Sequence, residues 1–418
     1  MTRTVAEPRM GRARLIALLG PAFVASIAYV DPGNVAANLT AGARYGYLLV
    51  WVLVAANAMA VLVQYLSAKL GVVTGRSLPE VLGDRLPRPA RLAYWVQAEI
   101  VAAATDLAEV IGGAIALYLL FGVPLVLGGI ITGVVSLLVL AVQQTRGQRA
   151  FEGVVTTMLA VLTVGFCAGL FFSPPDPAGM LAGLVPRLAG ADSVLLAASM
   201  LGATVMPHAI YLHSALARDH LHPALAGGDV RTATTAVPRV IRATRIDVVL
   251  ALVLAGSVNI AMLVLAAANL PGRAGTDTIE GAHAAIAGTL GPVVGVLFAV
   301  GLLASGLAST SVGAYAGAEI MAGLLHIRVP LLTRRLVTLL PAIALLMTGI
   351  SPTWLLVVSQ VVLSFGIPFA MIPLVRLTRD RELLGEHRNA VTTQVLAWTV
   401  AGVIVALNVT LLYLTFAA

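Results

Sequence analysis

The chain has 418 residues, 59% of them hydrophobic and 11% charged, with a formal net charge of +7. A soluble domain carries about 25% charged residues, so this composition excludes one and points to a polytopic membrane protein. A single cysteine, Cys167, excludes a disulfide framework, a thiolate metal cage and an iron–sulfur cluster.

A bilayer crossing needs about 20 apolar residues. The hydropathy pattern predicts eleven helices, at 15–42, 45–68, 92–120, 124–142, 153–173, 193–217, 246–270, 288–325, 332–349, 353–375 and 391–416. Turn signals, "FGVP" (121–124) and "TGISPT" (348–353), divide two charge-free runs that are too long for one crossing. With the N-terminus in the cytoplasm, 23 of the 26 Lys and Arg residues fall on inner segments. Arg44, Arg187 and Arg273 remain outside. That asymmetry is the expected one for a plasma-membrane (inner-membrane) protein with its C-terminus outside, and it explains the basic excess without nucleic acid. "RMGRAR" (9–14) before an apolar stretch ending "SIA" (26–28) has the outline of a signal peptide. Cleavage there would spoil the topology, so the stretch is read as the first crossing.

The first crossing is interrupted by "DPGN" (31–34). Pro32 removes a backbone donor and clashes with the preceding turn, and Gly33 relaxes the chain. Backbone polar groups inside hydrocarbon need partners, so this is a local unwinding that lines a cavity. The freed carbonyls, including that of Ala28 one turn earlier, then lie beside Asp31 and Asn34. The sixth crossing carries a second break in "GATVMPHAIYLH" (202–213), at Pro207. Five crossings separate the two broken helices, the arrangement of two five-helix repeats of inverted topology whose breaks meet at the bilayer midplane. The halves share no residue-level similarity, so the repeat rests on break position and helix count. The whole chain, 1–418, is then one membrane domain: a first repeat over 15–173, a second over 193–375 and an added helix at 391–416.

Asp31, Asn34 and unwound carbonyls offer oxygen, which alone suits Mg²⁺ or Ca²⁺. The thioether of Met206 beside the second break shifts the preference to a first-row transition ion such as Mn²⁺ or Fe²⁺. Ordinary packing accounts equally well for a methionine at that place. For Asp31 the alternative is a helix–helix hydrogen bond, but an intramembrane carboxylate is costly and reads as functional. The third crossing, "YWVQAEIVAAATDLAEVIGG" (94–113), sets Glu99, Asp106 and Glu109 at i, i+7 and i+10, within about 80° on one helical face. With His208 and His213 on the sixth crossing and Arg334 and Arg335 opening the ninth, the stripe reads as a proton relay. A static network of buried ion pairs is the other reading, and Glu99 fits either. Asp247 and Glu319, near the inner surface, are read as structural.

These residues carry a resemblance. "DPGN" in the first crossing and "MPH" (206–208) in the sixth resemble the paired signatures of the Nramp family of divalent-metal transporters. "GLLASGLASTSVGAYAG" (301–317) and "SQVVLSFGIPFAMIPL" (359–374) resemble its eighth and tenth crossings. The likeness spans essentially the whole chain. It implies an all-α membrane protein of LeuT-type 5+5 inverted-repeat fold with an added eleventh helix, and proton-coupled uptake of Mn²⁺ or Fe²⁺ by alternating access, with no cofactor. It also implies metal ligation by Asp31, Asn34, Met206 and the carbonyls of Ala28 and Ala203, joined by Gln360 in an occluded state. The proton path it implies runs from Asp31 and His208 past Asp106 and Glu109 to Arg335. One departure is Ala318–Glu319 where the family has Gln after "YAG".

A 2+ ion moving inward gains about 4.6 kcal/mol per 100 mV, so the membrane potential alone can drive uptake. Proton coupling rests on the residues and the family. An amino-acid or organic-cation symporter of the same fold has no use for a methionine facing Asp31. A membrane-embedded enzyme lacks support, since neither H-E-x-x-H nor a nucleophile–base constellation occurs. The partners implied are divalent metal ions, protons and the lipid bilayer, with no nucleic acid and no obligate protein partner.

Overall fold

In the computed structural model the described residues are 20–146, 148–226, 230–327, 329 and 331–417, and among them there are helices and no β-strand. The broken first helix is α1 (Pro21–Ile27), continued by a 3₁₀ turn at Ala28–Val30, and α2 (Pro32–Tyr45). Then come α3 (Val50–Thr74), a short α4 (Leu78–Arg85), α5 (Arg88–Phe121), α6 (Leu125–Arg146) and α7 (Gln148–Cys167). The second broken helix is α8 (Ala191–Thr204) and α9 (Pro207–Ala226), followed by α10 (Val230–Asn269) and α11 (Ile279–Leu290). The chain finishes with α12 (Pro292–Leu325), α13 (Leu331–Met347), α14 (Pro352–Leu377) and α15 (Val391–Ala417).

Length and apolar content make eight stretches among the described residues fit to cross a membrane, Pro32–Thr74 counting as one. Pro21–Val30, Leu125–Val139 and Val337–Met347 are apolar but shorter. Three local features depart from the hydropathy reading. Helix α10 starts at Val230 rather than near 246, because its arginine- and threonine-rich first turns are helical without being apolar. The segment expected to begin at 288 is divided at Gly291 (φ +100), which ends α11 and starts α12. Helix α4 is built by a capping box, with Ser77 and Glu80 each bonding the other's backbone N–H.

The helices sort into two groups. The broken helices α1/α2 and α8/α9 pack with α3 and α10, while α5, α6, α12 and α13 pack with one another. Helix α14 bridges the groups, touching α8 and α2 on one side and α5 on the other. The α5–α12 contact is the most extensive among the described helices. Small residues make it so: a Cβ at Gly306 would meet Gly113 N at 3.0 Å, so the two backbones nearly touch. The breaks therefore lie in the first group, beside the α14 helix that joins it to the second.

Candidate metal-binding site

Both breaks follow one rule. Proline has no N–H, so a carbonyl four residues before it loses its helical donor. Pro32 does this to Ala28 and Pro207 does it to Ala203, both fully buried. At the first break the two carbonyls that follow Ala28 are met by side chains. Asn259 Nδ2 of α10 donates to Tyr29 O at 2.6 Å, and Ser305 Oγ of α12 donates to Val30 O at 2.5 Å.

Asp31 is the N-cap of α2, in extended conformation and buried completely. Its Oδ1 accepts from Asn34 N at 2.7 Å and from Asn34 Nδ2 at 2.9 Å. Asn34 Nδ2 also donates to Ala203 O at 3.0 Å, which ties the first break to the second. Gln360 Nε2 of α14 approaches Asp31 Oδ2 at 3.4 Å. A Cβ on Gly33 would fall inside that Gln360 amide, so glycine is what lets α14 reach the break. Asn34 Oδ1 and Gln360 Oε1 are buried acceptors that meet no donor among the described residues. Met206 lies fully buried in the turn between α8 and α9, directly before Pro207.

Asp31, Asn34, Ala203 and Gln360 are thus joined by direct hydrogen bonds, with Ala28 and Met206 in the two adjoining turns. One carboxylate, amide oxygens, carbonyls and a thioether match the demands of an intermediate ion that is held and then released. Among the described residues no three His, Cys, Asp or Glu side chains gather into a cage that would retain a metal.

Two acids of the α5 stripe face α12 and α13, Glu109 the former and Glu99 the latter. Glu99 Oε1 is 3.0 Å from Arg334 Nη2, and Arg334 Nη1 lies 3.4 Å from Ala314 O of α12. The guanidinium crosses Gly317 where any side chain would collide with it, and a Cβ at Gly313 would meet Glu109 Oε1 at 3.0 Å. The glycines of "GAYAG" (313–317) are therefore slots for Glu109 and Arg334. His208 Nδ1 is 3.3 Å from Thr105 Oγ1, next to Asp106, and all three residues are buried. His213 stands apart from the stripe: its Nδ1 is 2.7 Å from Gln64 Oε1, and Gln64 Nε2 donates to Tyr29 OH. The Arg335 side chain lies outside the described residues.

Sequence reasoning passed over Tyr29, Asn38, Gln64, Thr105, Asn259 and Ser305. Gln64, Asn38 and Asn259 had a usable signal, an amide inside an apolar crossing, which lipid disfavours unless a partner waits. Asn38 Nδ2 donates to Asn259 Oδ1 at 2.8 Å. Ser305 and Tyr29 had none.

Two unwound helices meeting at a buried carboxylate, between two helical bodies, define a secondary transporter of a cation. The Nramp family model, natural resistance-associated macrophage protein-like, matches residues 22–414. The chain is 63% identical over 399 residues to the divalent metal cation transporter MntH of Mycobacterium tuberculosis, covering 95% of this chain and 91% of that protein. Among solved structures it is similar to the manganese transporter of Eremococcus coleocola crystallised with an aromatic bis-isothiourea compound. The TM-score is 0.84 at 30% identity, over 97% of this chain and 88% of that one. MhsT in complex with L-phenylalanine shares the fold alone, at a TM-score of 0.59 and 14% identity over 95% and 98% of the chains. The chain belongs to the Nramp family, on the LeuT-type fold.

Proposed function

We propose that this protein imports divalent transition-metal ions, Mn²⁺ foremost and Fe²⁺ or Cd²⁺ as well, together with protons. The observation that carries the reading is the cluster of Asp31, Asn34, Ala203 O and Gln360 at the meeting of the two breaks. Asp31 supplies the negative charge that offsets part of the dehydration of the ion. Asn34 Oδ1 and Gln360 Oε1 supply neutral oxygen, the Ala28 and Ala203 carbonyls face the ion from the two breaks, and Met206 supplies a soft ligand that disfavours Ca²⁺ and Mg²⁺. Transport then consists of opening this site to one side of the membrane and then to the other, the two helical groups shifting across α14.

For protons we propose a path from Asp31 and His208 to Asp106 and Glu109, and on to Arg334, Arg335 and Glu99. The burial of His208 against Thr105, and the slots that Gly313 and Gly317 form on α12, support it. His213 joins through Gln64 and Tyr29 rather than through the acids. The division into a repeat over 15–173, an inverted repeat over 193–375 and an eleventh crossing at 391–416 is part of the same reading. So is the placement of the N-terminus in the cytoplasm, which the arginine distribution supports.

The test is uptake by purified protein in liposomes, with Mn²⁺, Fe²⁺, Cd²⁺, Mg²⁺ and Ca²⁺ offered separately, with and without an imposed pH gradient. Mn²⁺ uptake accompanied by acidification of the lumen is expected. Equal uptake of all five ions, or labelled amino acid competing with Mn²⁺, would overturn the site assignment.

A further inference from the structure

Helix α15 leans on α14 and α8 and touches α3 only lightly. A groove of about 470 Å³ is left between α3, α10 and the first turns of α15. Its walls are sorted by polarity along the helices. Tyr65 of α3, Arg245 of α10 and Thr392 and Thr393 of α15 line one end. Ala58, Leu62, Val249 and Leu396 line the rest, each deeper along its own helix. From Tyr65 to Ala58 the apolar wall runs for about 10 Å of helix, against about 15 Å for the hydrocarbon of one leaflet.

The polar end is cationic. Arg245 is exposed, and among the described residues it forms no ion pair and no hydrogen bond. Lys69, one turn beyond Tyr65, is 5% exposed; its Nζ donates to Asn389 Oδ1 at 2.7 Å and lies 5.8 Å from the Tyr65 ring centroid. Among the described residues no Asp or Glu lines the groove. A cation set beside hydrocarbon without a carboxylate partner calls for an anion from elsewhere. Basic pockets between crossings on the cytoplasmic side are seats for anionic lipid headgroups. A soluble anion could use the arginine, but it has no use for the apolar trough that continues from it.

We propose that this groove is a binding site for an anionic phospholipid of the inner leaflet. The phosphate pairs with the Arg245 guanidinium and accepts hydrogen bonds from the hydroxyls of Tyr65, Thr392 and Thr393. One acyl chain lies along α3, past Leu62 to Ala58. Lys69, held behind the Tyr65 ring, adds its field to the same end. The bound lipid joins α15 to α3 and α10, a join that the helices' own contacts leave slight. The site is separate from the ion cluster and from the acids of α5. Its assignment to the inner leaflet rests on the orientation proposed above.

The experiment is native mass spectrometry of the full chain in detergent, titrated with phosphatidylglycerol and, separately, with zwitterionic phosphatidylcholine. The parent should take its first phosphatidylglycerol roughly fivefold more tightly than its first phosphatidylcholine, the effect of one basic residue. Arg245→Gln, at an exposed position, should abolish that preference, and Arg245→Lys should restore most of it. Ala58→Trp, also at an exposed position, fills the apolar end and should weaken both lipids alike. Equal affinity of the parent for the two lipids, or a preference that survives Arg245→Gln, would overturn the proposal. Displacement of bound phosphatidylglycerol by glycerol phosphate would overturn it too, by making the site one for a soluble anion. So would a dimer that Ala58→Trp dissolves, which would seat a second copy of the chain in the groove. If Arg245→Gln fails to insert, Ala58→Trp decides, and undiminished lipid binding there also overturns the proposal. Binding in detergent does not depend on orientation, so an error in the inner-leaflet assignment leaves these outcomes unmoved.

Discussion

Alanine at Gly33 would place its Cβ among Nε2, Cδ and Cγ of Gln360. Gln360 is fully buried and bonded to Asp31 Oδ2 and Ser359 Oγ, so it has to be driven off both. Overpacking of this kind costs about 1–3 kcal/mol. Opposing it is the helix propensity gained on replacing glycine, up to about 1 kcal/mol, since Gly33 sits in the first turn of α2. Gly33→Ala alone should therefore destabilise the protein. In a Gln360→Ala chain the three obstructing atoms are gone, and the same substitution should be neutral or slightly stabilising. The sign reverses, and the coupling between the two positions should be about 1–3 kcal/mol. Thermal midpoints of the four purified proteins in detergent measure it. Uptake in liposomes adds a second reading, an increase of about 5- to 150-fold in the KM for Mn²⁺ in the Gly33→Ala single variant. Additive effects on stability would refute the placement of the Gln360 amide against the break.

Asp31→Asn keeps the cap on α2 but removes the charge, so Mn²⁺ binding and uptake should be lost in a protein that still inserts; near-normal uptake would sink the assignment. Glu109→Gln should spare most of the Mn²⁺ affinity while reducing acidification of the lumen, and separate measurement of metal flux and internal pH distinguishes this from a structural defect, which lowers both alike. Met206→Ala should retain Mn²⁺ transport, weaken Cd²⁺ most and admit Ca²⁺ or Mg²⁺. The discrimination lost is about 10- to 200-fold, that of a single contact in a preformed site. Competition of these ions against Mn²⁺ uptake reads it, and an unchanged selectivity order would leave Met206 as packing.

Much of the site was legible along the chain because lipid makes polar residues conspicuous. Asp31, Asn34 and Pro32 stand in a run that is otherwise apolar, and the stripe of Glu99, Asp106 and Glu109 shows at helical period. Gln360 is less conspicuous, since serines and glycines surround it, and its importance here came from the resemblance. Asp247 looked like an ordinary inner-surface acid, because its partners are backbone N–H groups more than two hundred residues away. Backbone groups are the same at every residue, so no side-chain pattern announces them.

The sequence by itself determined that the protein is helical and crosses a membrane, where two helices break, and which carbonyls the breaks release. Each of these follows from local chemistry: hydropathy over about 20 residues, and proline four positions after Ala28 and Ala203. Only the tertiary structure decided what meets what. It set Asn34 between Asp31 and Ala203 O, and Gln360 against Gly33. It put Arg334 with Glu99 and set His213 apart from the acids. The physical reason is that helices pack through small-residue grooves whose depth depends on both partners. Gly33, Gly313 and Gly317 look like any other glycine in a membrane helix until Gln360, Glu109 and Arg334 are seen to occupy the space they leave.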